Sequence, residues 1–159
     1  MGRRNIHATG LVLGGTGLIL CGPSGAGKSL LALLLLDAWE ARGLAAHLVA
    51  DDRLDIEATP NGLVMHAPPA IAGLIELRGR GIVSRPHVAR APLHLVVDLV
   101  ATRERMVEED ALVTELDGVS IARCPVPRAG LVENSHQLLL IREALRAVAP
   151  PAPRGKKTA

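Results

Sequence analysis

The sequence predicts an α/β fold: one domain over residues 1–149 with a mixed sheet, several hairpins, one long buried helix and a short C-terminal helix. Three observations carry that prediction. An apolar strand at 18–21 runs directly into a glycine-rich loop and then a long helix. The dipeptides Asn61-Gly62 and Asp117-Gly118 each sit between apolar runs, where they mark hairpin turns. The core has to be aliphatic, because 48% of the 159 residues are hydrophobic while Trp39 is the only aromatic.

In chain order, 9–13 and 18–21 read as short strands joined by the turn Gly14-Gly15-Thr16-Gly17. Residues 28–42 read as a helix closed by Gly43, and the run Leu30-Leu31-Ala32-Leu33-Leu34-Leu35-Leu36 makes it apolar on nearly every face and hence largely buried. A short apolar strand at 46–50 ends on Asp51-Asp52. Strands at 54–58 and 63–67 flank Pro60-Asn61-Gly62, and Pro68-Pro69 stops the hairpin. Residues 71–77 are ambiguous, one helical turn leading into a strand. The most β-like run is 94–100, and 112–116 with 119–123 form a second hairpin around Asp117-Gly118. Asn134 caps a last helix at 135–148, with Gln137 placed for a capping box. Residues 150–159 hold Pro, Gly and Lys without apolar content and read as a disordered tail.

Composition excludes several classes. Eighteen basic against sixteen acidic residues leave a net charge of +2, which argues against a dedicated nucleic-acid binder, and without Phe or Tyr there is no base-stacking platform. Cys21 and Cys124 stand far apart with no Cys/His cluster, so zinc and disulfide scaffolds are excluded and both thiols read as small buried hydrophobes in a reducing cytoplasm. Arg3-Arg4 before an apolar stretch imitates an export signal, but Gly14 to Gly17 interrupt it. No apolar run reaches the roughly 18 residues of a membrane span.

Gly22-Pro23-Ser24-Gly25-Ala26-Gly27-Lys28-Ser29 matches GxxxxGK[ST] in full, between a strand and a helix. Glycines let successive backbone N–H groups turn inward around phosphate oxygens, and the helix points its positive end at them. Lys28 supplies a charge for the β- and γ-phosphates, and the Ser29 hydroxyl can ligate Mg²⁺. Such a loop needs an acid for the metal or the attacking group. Asp51 and Asp52 stand at the tip of the next strand, where α/β sheets bind ligands. Two adjacent acids permit a division between metal ligand and base; a turn or capping pair is the plain alternative. In Glu76-Leu77-Arg78-Gly79-Arg80-Gly81-Ile82, Glu76 and Arg78 share one side of an extended segment, and Gly79 and Gly81 allow close backbone approach; a surface loop with a salt bridge explains the stretch about as well.

With these blocks assembled, the chain from about Ile6 to Gly130 resembles the catalytic domain of the HPr kinase/phosphorylase family. The resemblance rests on His7, the phosphate loop, Ala50-Asp51-Asp52-Arg53 and the Glu-x-Arg-Gly-x-Gly-Ile stretch. It implies a P-loop kinase domain that uses ATP and Mg²⁺ to phosphorylate a serine of HPr, a small phosphocarrier, and that in many members removes the phosphate again with inorganic phosphate. By the same likeness Asp52 is the general base, Lys28 stabilises the transferring group, Ser29, Glu76 and Asp51 serve the metal, and His7 and Arg105 are catalytic. Arg128, the one charge in Pro125-Val126-Pro127-Arg128-Ala129-Gly130, would hold an attacking phosphate. The likeness further implies a cytoplasmic homo-oligomer, a hexamer by family pattern, with no nucleic-acid or membrane partner. This sequence starts almost at His7, carries Arg80 where an apolar residue is common, and ends in a brief helix, so it looks like a short form without the N-terminal domain. A catalytically silent module that senses ATP or phosphate and docks on a partner, and a small-molecule kinase, are the alternatives.

Overall fold

Strands that are apolar on both faces must be covered twice, and the central strands of this chain are. The computed structural model describes residues 2–148. Strands β1 (Arg4–Ile6), β2 (Thr9–Leu13) and β3 (Thr16–Cys21) precede helix α1 (Lys28–Ala41). Then come β4 (Ala46–Ala50), β5 (Leu54–Thr59), β6 (Gly62–His66), β7 (Leu74–Leu77), β8 (Gly81–Ser84), β9 (Arg90–Pro92), β10 (Leu95–Val100), β11 (Val113–Leu116) and β12 (Val119–Pro127). Helix α2 (Asn134–Val148) follows. Six strands form a mixed sheet in the order β11-β12-β10-β3-β2-β4, four form an antiparallel sheet β1-β5-β6-β9, and β7 and β8 pair alone.

Period-two alternation sorts the core into two clusters. Leu18 and Leu20 of β3, with Leu95, Val97 and Leu99 of β10, face α1 and α2. Ile19 and Val96 face the other way, against Leu54, Ile56, Leu63 and Met65 of the four-stranded sheet. The layers are therefore helices, mixed sheet and antiparallel sheet. α1 is buried along most of its surface, as its leucine run predicts, with Leu30 and Asp37 on the outer stripe. It ends in a Schellman arrangement: Gly43 (φ 71°) donates to Glu40 O at 2.9 Å and Leu44 donates to Trp39 O at 3.0 Å. Across the helix layer, the Arg142 guanidinium lies 5.5 Å from the Trp39 ring centroid.

Strand direction sets the position of the site. β3, β10 and β12 run parallel, and β2 runs antiparallel to both β3 and β4. The carboxyl ends of β3, β4, β10 and β12 therefore share one edge with the start of β2. Between Gly10 and Leu11 the β2–β4 register shifts, a bulge beside that edge. β12 outlasts its partner β11: pairing with β11 stops at Ala122, while pairing with β10 continues to Pro127.

Four local expectations need correction. The first turn is Gly14-Gly15 alone, at φ 58° and 85°, a two-residue hairpin with β3 beginning at Thr16. Gly17 is a strand residue whose role is close approach, since a Cβ there would lie 1.8 Å from Pro92 O. The 60–62 turn is Pro60-Asn61, with Gly62 already paired to Thr59. The capping box does not form: Asn134 Nδ2 donates to Gln137 Oε1 at 2.9 Å, and the buried Gln137 donates through Nε2 to Pro127 O at 2.9 Å, tying α2 to the end of β12. Strands β8 and β9 are additions to the expected elements. Residues 69–77 do give one helical turn followed by a strand. The expected tail at 150–159 lies outside the described residues.

Candidate functional site

A left-handed backbone at Gly25 (φ 83°) and Gly27 (φ 91°) bends the loop after β3 back on itself, and Ala26 N–H closes it on Pro23 O at 3.1 Å. Gly27 is the residue before α1, where a Cβ would come 3.0 Å from Ala129 Cβ, so the loop packs against the segment after β12. Lys28 is only 9% exposed. Its ammonium donates to Gly22 O at 2.6 Å and to Pro23 O at 3.4 Å, which leaves one of three N–H groups without a partner among the described residues. The preceding Cys21 thiol is pushed up to about 12, first by burial and then by the Asp98 charge, so it stays protonated beside the loop.

Asp51 is the hub of this edge. Its Oδ1 accepts from Ser29 Oγ at 2.8 Å and from Thr9 Oγ1 at 3.1 Å, and its Oδ2 accepts from Glu76 N–H at 3.3 Å. Three chain segments converge on one carboxylate. Asp52 differs in every respect: it is exposed, its backbone is left-handed at φ 63°, and its carboxylate has no hydrogen-bond partner among the described residues. Such a conformation costs an aspartate roughly 1–2 kcal/mol. Asp52 N–H donates to Thr9 Oγ1 at 3.1 Å, which helps hold it.

The cleft bounded by these groups has a volume of about 400 Å³ and is lined by Ser24 to Leu30, Asp51, Asp52, Glu76, Leu77, Arg78 and Ala129. Of the residues the sequence singled out, it brings together Ser24, Gly25, Ala26, Gly27, Lys28, Ser29, Asp51, Asp52, Glu76 and Arg78. Gly22 and Pro23 form the loop's base and receive the Lys28 ammonium. Gly79 and Gly81, at φ 90° and 109°, shape the β7–β8 turn outside the lining. His7 is exposed, two residues before Thr9, and does not line the cleft. Arg128 is exposed, next to the lining residue Ala129, with its N–H held by Val100 O at 2.9 Å. Arg105 lies elsewhere, in a separate cavity of about 510 Å³ with Arg103, Arg123 and His136.

Thr9, which no sequence motif marks, is fully buried and touches both acids. The available signal was a polar residue opening an otherwise apolar strand. Among the described residues no three His, Cys, Asp or Glu side chains converge into a closed metal cage. The Ser29 hydroxyl and Asp51 carboxylate nevertheless offer hard oxygens 2.8 Å apart. That suits Mg²⁺, which takes few protein ligands and completes its shell with phosphate and water.

The fold and cleft define an α/β domain with a glycine-rich loop at a helix start facing an acid pair. The HPr serine kinase C-terminal domain model matches residues 2–147, and the chain belongs to that family. The HPr kinase/phosphorylase of Clostridium acetobutylicum is 31% identical over 150 residues, covering 89% of this chain and 47% of that protein. The HPr kinase/phosphorylase of Lactobacillus acidophilus is 36% identical over 106 residues, covering 62% of this chain and 31% of that protein. The chain thus spans about half or less of these relatives. The solved HPr(Ser) kinase/phosphatase of Coxiella burnetii superposes with a TM-score of 0.71 at 27% identity, over 91% of this chain and 95% of that one.

Proposed function

We propose that this domain is an ATP- and Mg²⁺-dependent protein-serine kinase whose substrate is an HPr-type phosphocarrier, able to reverse the reaction with inorganic phosphate. One observation carries the reading: an acid that takes three hydrogen bonds and an acid with no partner among the described residues stand side by side across from the glycine-rich loop. Asp51 and Ser29 would hold Mg²⁺, with Glu76 beside them. The ion supplies charge compensation for the phosphates when bound. Lys28 and the loop amides bind the phosphate chain and stabilise charge on the transferring group. Asp52, without a donor among the described residues, takes the proton from the incoming serine hydroxyl as its oxygen bonds to the γ-phosphorus and the bond to ADP breaks. In reverse, phosphate attacks the phosphoserine, Asp52 returns the proton to the serine, and pyrophosphate leaves.

Arg128, beside Ala129 at the cleft's rim, is the proposed cation for the attacking phosphate, while His7 and Arg105 keep their proposed catalytic roles by family likeness alone, since neither lines the cleft. We place the domain in the cytoplasm as a homo-oligomer. None of the described helices is long and apolar enough to cross a membrane. The test is incubation with labelled ATP, Mg²⁺ and a purified HPr-type protein, with the modified residue mapped by mass spectrometry. Phosphoserine on the acceptor is the expected result. Tight ATP binding with no transfer would overturn the kinase in favour of a nucleotide sensor.

A further inference from the structure

We infer that Thr9 is a positioning residue whose single hydroxyl sets the geometry of both acids, an inference that rests on the reading above. Its side chain is fully buried at the start of β2, yet its oxygen is used twice. The O–H donates to Asp51 Oδ1 at 3.1 Å, and a lone pair accepts the Asp52 N–H at 3.1 Å. The first bond fixes the carboxylate that also receives the Ser29 hydroxyl at 2.8 Å. The second holds the left-handed turn at Asp52 (φ 63°) that directs the neighbouring residue differently from Asp51. The fold is shaped to bring Thr9 there. The register of β2 on β4 shifts at Gly10, and a Cβ on Gly10 would come 2.8 Å from Leu54 Cδ2, so a larger residue there would have to displace the buried Leu54 side chain. A valine at position 9 would fill the same space and offer neither bond.

The experiment compares wild type, Thr9→Val and Thr9→Ser by ATP affinity in Mg²⁺ and in EDTA, and by steady-state transfer to an HPr-type protein. In Thr9→Val, the gain in ATP affinity that Mg²⁺ confers falls about tenfold, affinity in EDTA stays within about twofold, and kcat drops about 10–100-fold at unchanged KM for the acceptor. Thr9→Ser keeps the hydroxyl and restores both readouts. A folded Thr9→Val chain with wild-type Mg²⁺ linkage and kcat overturns the assignment, as does an equal loss of affinity in EDTA, which would mark a disturbed phosphate loop. If Thr9→Val does not fold, Thr9→Ala is read by the same criteria. Should wild type transfer no phosphate at all, the proposed function fails, while the Mg²⁺-linked affinities still decide the role of Thr9.

Discussion

Replacing Asp52 with asparagine isolates proton transfer from everything else the site does. The Asp52 carboxylate accepts no hydrogen bond among the described residues, and its backbone sits at φ 63°, a conformation asparagine adopts as readily. Folding stability should therefore change by no more than about 0.5 kcal/mol. ATP affinity should also hold, because the loop amides, Lys28 and Ser29 are untouched. Transfer should fall by about 10²–10⁴-fold, the contribution of a positioned general base. Asp51→Asn is the contrast. Asp51 takes three donors at 2.8, 3.1 and 3.3 Å, and an amide would turn its own NH₂ toward at least one of them. With one donor left opposed on a half-buried group, this variant should lose about 1–2 kcal/mol of stability together with its Mg²⁺-dependent ATP affinity. Urea titration, calorimetric ATP binding and labelled-phosphate transfer measure all three quantities on both variants. Transfer by Asp52→Asn within about tenfold of wild type would refute the base assignment, and equal destabilisation by the two variants would refute the hydrogen-bond reasoning.

Gly17→Ala forces a Cβ to within 1.8 Å of the Pro92 carbonyl oxygen, backbone against backbone, and should cost about 3 kcal/mol or more in a urea melt. Burial pushes the thiols of Cys21 and Cys124 up to about 12 and about 11, so a disulfide reagent at about pH 8 should label neither in the native chain and both after unfolding. His94 accepts Gly17 N–H through Nδ1 at 3.0 Å, and burial lowers its pKa below the ordinary value of 6.5. The unfolded chain then binds more protons, so this contribution to stability is complete above pH 6.5 and is lost as pH falls from there toward the lower folded value. Urea midpoints from pH 8 to 5 should decline less steeply in His94→Asn than in wild type.

Features written in consecutive residues were the legible ones. The strand–loop–helix unit around 22–29 and the Gly43 cap depend on neighbours along the chain, and so does the hairpin at Asp117-Gly118 with its φ of 50° and 78°. Asp51 and Asp52 could be located at a strand tip from sequence, but not told apart, because their difference lies in three donors from β2, α1 and β7. Thr9 was invisible for the same reason. Gln137 fits a capping pattern, yet a carbonyl ten residues upstream, at Pro127, captures its amide. β8 and β9 are short and largely exposed, so they lack the apolar run that announces a strand. Arg105 is charged and lies in a loop, and nothing in its neighbours could show that it faces a second cavity rather than the phosphate cleft.

The overhang of β12 beyond β11 leaves a stretch of sheet with no strand on its outer side. Arg128 N–H bonds to Val100 O of β10, so the even-numbered residues of this segment turn inward and the odd-numbered ones outward. Pro125 and Pro127 occupy outward positions and carry no N–H. A foreign extended chain seeking to lengthen the sheet would find no amide at either proline, and at Pro127 a carbonyl already taken by Gln137 Nε2, so this border offers it no ladder to join.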